Sequence, residues 1–286
     1  MALLKYDKDE YVKRHAFLQN EREVRTARKL AALFKRYAGE VHSGYLALGF
    51  PVFPSETQDT LRNVLMNEYT ITAGSFSDFH DPYLTVPFAN QGKAHLRTQD
   101  ALSRILPQLA LIQSDRIIRT IEGDLMNAVE KARDLSPNVG SRMLEATYVH
   151  GELIARSNAK ARMIAATETT RVAEISKDVG MRSTISELEE EEIVQAFGED
   201  LSEDEMDAAL ALGGAAAIAA GLLLVSRTWN SVLDGNTRIS HAAANGQEAV
   251  GEATFDVGGE ALSFPGDPAG SAGNTVNCRC FLAYSI

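Results

Sequence analysis

The chain has 286 residues, of which 45% are hydrophobic and 23% are charged. This composition is typical of a folded protein and excludes a fibrous or wholly disordered chain. The formal net charge is −11, and eleven acidic residues with no basic residue lie within 187–207. Because the negative charge is concentrated in one segment, it argues neither for nor against nucleic-acid binding.

The two cysteines, Cys278 and Cys280, are too few for a disulfide framework. A reducing compartment is therefore favoured. The first residues lack a basic segment followed by an apolar stretch, so we expect no secretion signal. These features favour a protein that is made and used without secretion.

The N-terminal part of the sequence predicts long helices. In residues 7–48, apolar side chains recur at intervals of three and four, which predicts an amphipathic helix ending at Gly49. A second helix is predicted for residues 56–70. Residues 71–98 contain glycines and prolines and show no sustained period, so we expect irregular structure with a short extended piece at 83–86.

Two further helices are predicted before residue 180. One covers residues 99–134, with Pro107 as a break or a first-turn residue. The other covers residues 141–179, with Gly180 as its C-cap.

The character of the chain changes after these helices. The acidic segment 187–207 leads into 208–225, eighteen residues without a charged group. Short β-like stretches at 253–257 and 261–264 flank Gly258-Gly259, which predicts a hairpin. We therefore predict a mainly α fold with a small α+β C-terminal module and an elongated helical N-terminal part.

The apolar segment 208–225 has two interpretations. Its length falls within the roughly 17–25 residues that span a bilayer. Its many alanines and glycines suit close helix packing better than lipid contact. A helix buried in the protein or against a neighbouring subunit is favoured, and a membrane partner is disfavoured.

The C-terminal third contains an ordered set of polar, aromatic and cysteine residues. It begins with Thr-Glu-Thr-x-Arg on a predicted helix and ends with Asn-Cys-Arg-Cys. The set is Thr167, Glu168, Arg171, Trp229, Asp234, Arg238, His241, Pro265, Asp267, Asn277, Cys278, Arg279 and Cys280.

In order and spacing, this set resembles the head-morphogenesis domain of the Mu protein F-like minor capsid family of tailed bacteriophages. The resemblance implies a division into a helical partner-binding region, 1–155, and a Mu F-like domain, 156–286. An acidic and apolar insertion at about 187–225 interrupts that domain, where the family has a short linker.

The resemblance implies a minor capsid protein rather than an enzyme. Such a protein associates with the portal vertex and assists procapsid assembly and DNA packaging or delivery. The implied partner is the portal protein, with the major capsid or scaffolding protein and packaged DNA as further candidates. The implied location is the capsid interior of the virion, and the host cytoplasm during assembly, with no cofactor required.

Asp234, His241, Cys278 and Cys280 form a donor set that zinc accepts in tetrahedral geometry. The alternative is that Cys278 and Cys280 alternate in a terminal strand, in which case they face opposite sides and at most one can bind. A metal-dependent hydrolase or nuclease, with zinc as its cofactor, is thus one alternative function. A membrane-active ejection protein that uses 208–225 is another.

Asp234, Arg238 and His241 also allow two interpretations. A histidine oriented by a carboxylate can act as a general base, and Glu168 and Arg171 are candidate neighbours. Alternatively, these residues form a polar network that fastens the C-terminal module onto the Thr-Glu-Thr-x-Arg helix. The network is the favoured hypothesis.

Overall fold

The computed structural model describes residues 8–54, 56–80, 91–135, 141–186, 225–233, 235 and 237–285. Four long helices account for most of these residues. They are α1 (Lys8–Leu48), α2 (Glu56–His80), α3 (Gln91–Leu135) and α4 (Arg142–Ile185). Their apolar positions recur at helical spacing, so each helix buries a continuous stripe.

The remaining elements form a small C-terminal module. They are β1 (Ser226–Asn230), α5 (Ile239–Ala244), β2 (Glu248–Val250), β3 (Phe255–Val257), β4 (Glu260–Leu262), α6 (Ala272–Thr275) and β5 (Phe281–Ser285). One antiparallel sheet has the order β2-β1-β5, and β3 pairs with β4. The predicted fold class, mainly α with a small α+β C-terminal module, is confirmed.

The predicted hairpin is present between β3 and β4. Gly258 and Gly259 form its turn with φ angles of 64° and 83°, a region that glycine enters without steric cost.

The chain divides into two compact units. The first, which we call the motif unit, consists of Met1–Asn20, Ile71–Arg104 and Thr167–Ile286. The second, which we call the helical unit, consists of Glu21–Thr70 and Ile105–Ala166. The predicted division at residue 155 concerns the roles of two regions, and it stays a prediction.

The motif unit has an aromatic core. Tyr11, Phe281 and Ala283 are buried together, and His15 stacks on Phe281 with ring centroids 4.3 Å apart. Trp229 of β1 is fully buried and lies 5.4 Å from the ring of Phe255. Strand β5 is thereby packed on the Tyr11 segment of α1, and Phe79 of α2 packs against the same cluster.

The prediction that 71–98 is irregular is wrong for its described residues. Helix α2 continues to His80, and α3 already begins at Gln91. Ala73 and Phe76 are buried and continue the apolar stripe of Leu65 and Tyr69, so packing outweighs the low helix propensity of Gly74. The extended piece predicted at 83–86 lies outside the described residues.

Two predicted helix boundaries are also wrong. Helix α3 continues through Pro107, with the flanking Leu106 and Ala110 both buried. Helix α4 continues through Gly180 to Ile185 because Met181 and Ile185 are buried beyond the glycine. In both cases, buried apolar side chains offset the local cost of the proline or glycine.

The acidic segment and nearly all of the apolar segment, residues 187–224, lie outside the described residues. Their predicted roles remain predictions. None of the helices described here combines the length and apolar character needed to cross a bilayer.

Candidate metal centre and motif network

One face of α4 holds the C-terminal segment of the chain. The hydroxyl oxygen of Thr167 accepts a hydrogen bond of 2.7 Å from the backbone N–H of Asn277. Three residues later, the Thr170 hydroxyl donates to the carbonyl oxygen of Cys278 at 2.6 Å. Thr170 also accepts a hydrogen bond from the Gln19 side chain at 2.8 Å, which adds α1 to the contact.

The same face continues with a buried ion pair. Glu174 and Lys177 lie seven and ten positions after Thr167, a spacing that puts all of these side chains on one side of a helix. Glu174 accepts from the backbone N–H of Leu282 at 3.2 Å, and Lys177 donates to the carbonyl oxygen of Leu282 at 2.9 Å. Leu282, near the start of β5, is therefore bound to α4 through both its backbone N–H and its backbone carbonyl oxygen.

Burial raises the pKa of Glu174 to about 7, although Lys177 at 2.7 Å lowers it. Burial lowers the pKa of Lys177, and Glu174 opposes that effect. The imidazole Nε2 of His15 lies 3.3 Å from the Lys177 ammonium and 3.9 Å from the Glu174 carboxylate. These three residues were not among the predicted site residues.

The second part of the motif holds the Pro-Gly-Asp-Pro turn. Arg171 forms a buried ion pair with Glu168, and its Nε donates to the carbonyl oxygen of Gly266 at 3.0 Å. Both carboxylate oxygens of Asp267 accept backbone hydrogen bonds of 2.9 Å, from Ser263 and Ala269. The turn is thus closed by Asp267 and attached to α4 by Arg171, and the neighbouring Pro265 is buried.

Trp229, Arg238 and His241 lie beside this network. The Arg238 guanidinium donates to the carbonyl oxygen of Val276, one residue before Asn277. The ring of His241 meets that of Trp229 edge-on, with centroids 6.1 Å apart. The described bonds from the Thr-Glu-Thr-x-Arg helix to the C-terminal module are made by Thr167, Thr170 and Arg171. The predicted network of Asp234, Arg238 and His241 with that helix stays a prediction, since Asp234 lies outside the described residues.

His241, Cys278 and Cys280 form a buried cluster. Nδ1 of His241 lies 3.3 Å from the sulfur of Cys280 and 3.6 Å from that of Cys278. The three potential donor atoms all lie within 4.8 Å of one another. The side chains are 2%, 1% and 3% exposed, in the order His241, Cys278 and Cys280.

The cysteines do not alternate within a strand, because β5 begins only at Phe281. Asn277 has a φ of 56°, a left-handed conformation that asparagine tolerates better than most residues. This turn lies immediately before Cys278, and both sulfurs approach the same imidazole. The alternative in which at most one cysteine can bind a shared ion assumed that both cysteines lie in one strand, and that assumption is wrong.

The pKa values of the two thiols shift in opposite directions. A hydrogen bond with Cys278 lowers the pKa of Cys280 to about 5 against the raising effect of burial, and contacts with His241 and Ser231 lower it further. The same contact with Cys280, reinforced by burial, raises the pKa of Cys278 well above its ordinary range. The cluster therefore favours one thiolate, at Cys280, which is the reactive and metal-binding form of cysteine.

A cavity of about 20 Å³ adjoins the cluster. Its lining consists of Val232, Thr237, Arg238, His241, Asn277, Cys278, Arg279 and Cys280. A space of this size accommodates about one water-sized species. The arrangement suits an ion or a single water rather than an organic substrate.

Twelve of the thirteen motif residues are described by the structure, and they lie in the network on α4 or around the cysteine cluster. The thirteenth, Asp234, lies outside the described residues. The described residues that the sequence analysis did not single out are Thr170, Gln19, Glu174, Lys177, His15, Ser231 and Arg227. Arg227 donates to the carbonyl oxygens of Ser263 and Ala253 and so attaches the hairpin region to β1. The helical spacing of Glu174 and Lys177 from Thr167 was a signal that could have found that pair.

Compared with models of known protein families, with curated proteins and with solved structures, the chain gives no match.

Proposed function

We propose that the chain is a minor capsid protein of a tailed bacteriophage, of the Mu protein F-like head-morphogenesis type. In this proposal it associates with the portal vertex and assists procapsid assembly and DNA packaging or delivery. The observation that carries the proposal is the contact of Thr167, Thr170 and Arg171 with the Asn-Cys-Arg-Cys and Pro-Gly-Asp-Pro segments. Thr167 and Arg171 belong to the motif and Thr170 lies at its variable position, and all three contact segments about a hundred positions further along the chain.

The contacts of the motif favour a structural role over a catalytic one. Thr167, Thr170 and Arg171 direct their polar atoms at backbone groups of the same chain. Buried polar networks of this kind specify one packing arrangement. The hydrolase or nuclease alternative requires substrate to reach His241, which is 2% exposed beside a cavity of about 20 Å³.

The helical unit offers a surface for a partner. Leu48, Phe50, Met143 and Leu144 are all more than half exposed. They lie at the end of α1 and the start of α4, which are joined by a hydrogen bond of 2.5 Å between Tyr45 and Glu145. Exposed apolar side chains grouped in this way are typical of protein–protein interaction sites. We call these four residues the apolar end and propose that it contacts the portal ring.

The proposal is tested by co-expressing the chain with the portal protein of the same genome and purifying through a tag on the portal. We expect the chain to co-purify. The double substitution M143E/L144E should weaken the complex at least about tenfold, because each buried side chain contributes about 1.5–3 kcal/mol.

Leu233→Glu is the matched control, since Leu233 is as exposed as Met143, at 66%, but lies in the C-terminal module. It should leave co-purification unchanged. Equal loss in both variants, with both folded by circular dichroism, would argue against the apolar end as the contact. Failure of the parent chain to co-purify would argue against the portal association itself.

A further inference from the structure

We propose that His241, Cys278 and Cys280 bind one zinc ion through Nδ1 and the two sulfur atoms, and that this ion fastens the Asn-Cys-Arg-Cys segment to α5. The inference goes beyond the proposed capsid role and does not depend on it. A metal site of this kind would serve folding of the C-terminal module whatever partner the protein has.

The distances match a tetrahedral site. Zinc bonds sulfur at roughly 2.3 Å and imidazole nitrogen at roughly 2.0–2.1 Å, so the nitrogen–sulfur edge of a tetrahedron is about 3.6 Å. The two edges from His241 Nδ1 measure 3.3 Å to Cys280 and 3.6 Å to Cys278. Both nitrogen–sulfur distances are therefore within a few tenths of an ångström of the tetrahedral value, and the two sulfurs lie within 4.8 Å of each other.

The donors are held in place by other groups. Thr170 binds the carbonyl oxygen of Cys278 at 2.6 Å, and the Ser231 hydroxyl donates to the carbonyl oxygen of His241 at 2.6 Å. The turn at Asn277 directs both thiols toward the imidazole. Both of these hydrogen bonds are made to backbone carbonyl oxygens, so they orient the site without occupying a donor atom, and the Ser231 hydroxyl also lies 3.5 Å from the Cys280 sulfur.

The chemistry of the donors selects the ion. Two thiolates and one neutral imidazole are the ligands of structural and catalytic zinc sites, and soft sulfur donors disfavour magnesium and calcium. Two thiolates neutralise a divalent ion, so the positive charges of Arg238 and Arg279 at the cavity do not oppose its binding. The cavity of about 20 Å³ has room for one water as the fourth ligand.

The test is the metal content of the full chain, purified without a nickel column and measured by inductively coupled plasma mass spectrometry. We expect about one zinc per chain. His241→Ala, Cys278→Ser and Cys280→Ser should each lower the zinc content at least about tenfold, because three donors become two. His95→Ala, on α3 of the same unit, is the matched control and should retain the zinc.

A second measurement, made on the parent chain, tests metal binding even if the variants fail to fold. Cobalt(II) added to the metal-free parent chain should give the visible absorption of tetrahedral cobalt and a near-ultraviolet band from thiolate coordination. A chelator should lower the Tm of the parent chain and of His95→Ala, because a ligand that binds the folded state stabilises it.

Three results would overturn the proposal. One is a folded parent chain that takes up neither zinc nor cobalt. The second is zinc that persists in both His241→Ala and Cys278→Ser. The third is a parent chain whose mass is lower by two hydrogens and whose thiols do not react, since that outcome identifies a disulfide in place of a metal site.

Discussion

Thr170 connects three parts of the chain through one hydroxyl group. It donates to the carbonyl oxygen of Cys278 and accepts from the Gln19 side chain, and all three residues are buried. A buried polar group that loses its partner costs more than the hydrogen bond itself contributes, because water does not replace the partner.

We therefore expect Thr170→Val to lower the free energy of unfolding by about 1–3 kcal/mol. Thr120→Val is the control, since the exposed Thr120 hydroxyl bonds to the carbonyl oxygen of Arg116 in its own helix. Urea denaturation followed by circular dichroism measures both. Equal effects of the two substitutions would show that the Thr170 contacts contribute little.

Glu174 and Lys177 give the stability of the protein a pH dependence. The folded-state pKa of Glu174 is about 7, above its ordinary value of 4.5, because burial disfavours the carboxylate. The stabilisation from this group is complete below about pH 4.5 and is lost as the pH rises through 7. The groups facing Glu174 are Lys177, His15 and, through longer-range charge effects, Cys280.

Lys177→Met should extend this pH dependence to higher pH, because it removes the cation that lowers the pKa of Glu174. We expect a loss of about 3–5 kcal/mol at pH 8, where an unpaired carboxylate is buried, and a smaller loss at pH 5. Arg104→Met, which breaks an exposed pair with Asp100, should cost at most about 1 kcal/mol at either pH. A loss in Lys177→Met that does not change with pH would contradict the account of Glu174.

At the scale of elements, the β3–β4 hairpin packs on α5 through its turn. A side chain added at Gly258 would meet the Cβ of Ser240 at 3.0 Å, whereas one added at Gly259 would meet nothing within 4 Å. Both glycines have a positive φ. An alanine at either position therefore introduces the same kind of backbone strain. Only an alanine at Gly258 also introduces a close contact with α5.

Gly259→Ala should cost about 1–2 kcal/mol, the strain of a left-handed alanine. Gly258→Ala should cost about 1–3 kcal/mol more, because overpacking adds to the strain. Thermal unfolding of both variants provides the comparison. If the two substitutions cost the same, the hairpin does not pack tightly on α5.

Helix periodicity predicted the long elements because their stripes are long and regular, as in α1. It misplaced ends where a single residue carried the local signal. Pro107 and Gly180 each disfavour a helix locally, but buried residues beyond them continue the stripe. Tertiary packing decides such positions, and a sequence window contains no information about the partner surface.

The donor set of the candidate metal centre could be predicted from residue types alone. The convergence of Cys278 and Cys280 could not, because it depends on the left-handed turn at Asn277 and on the start of β5 at Phe281. The helical spacing of Lys177 from Thr167 could have placed it on the same face of α4, but its burial could not be predicted, since lysine is rarely buried and then only with a partner such as Glu174.

At the scale of the whole molecule, the motif unit and the helical unit contain different candidate functional features. The motif unit contains the network on α4 and the candidate metal centre. The helical unit contains the apolar end. The acidic segment 187–207, which contributes eleven of the 39 acidic residues, lies outside the described residues.

The central claim is association with the portal, and native mass spectrometry of the chain co-expressed with the portal protein of the same genome tests it most directly. The account predicts a species whose mass equals the portal ring plus a whole number of copies of this chain. That mass would also give the stoichiometry. A portal ring and a folded chain that appear only as separate species would contradict the claim.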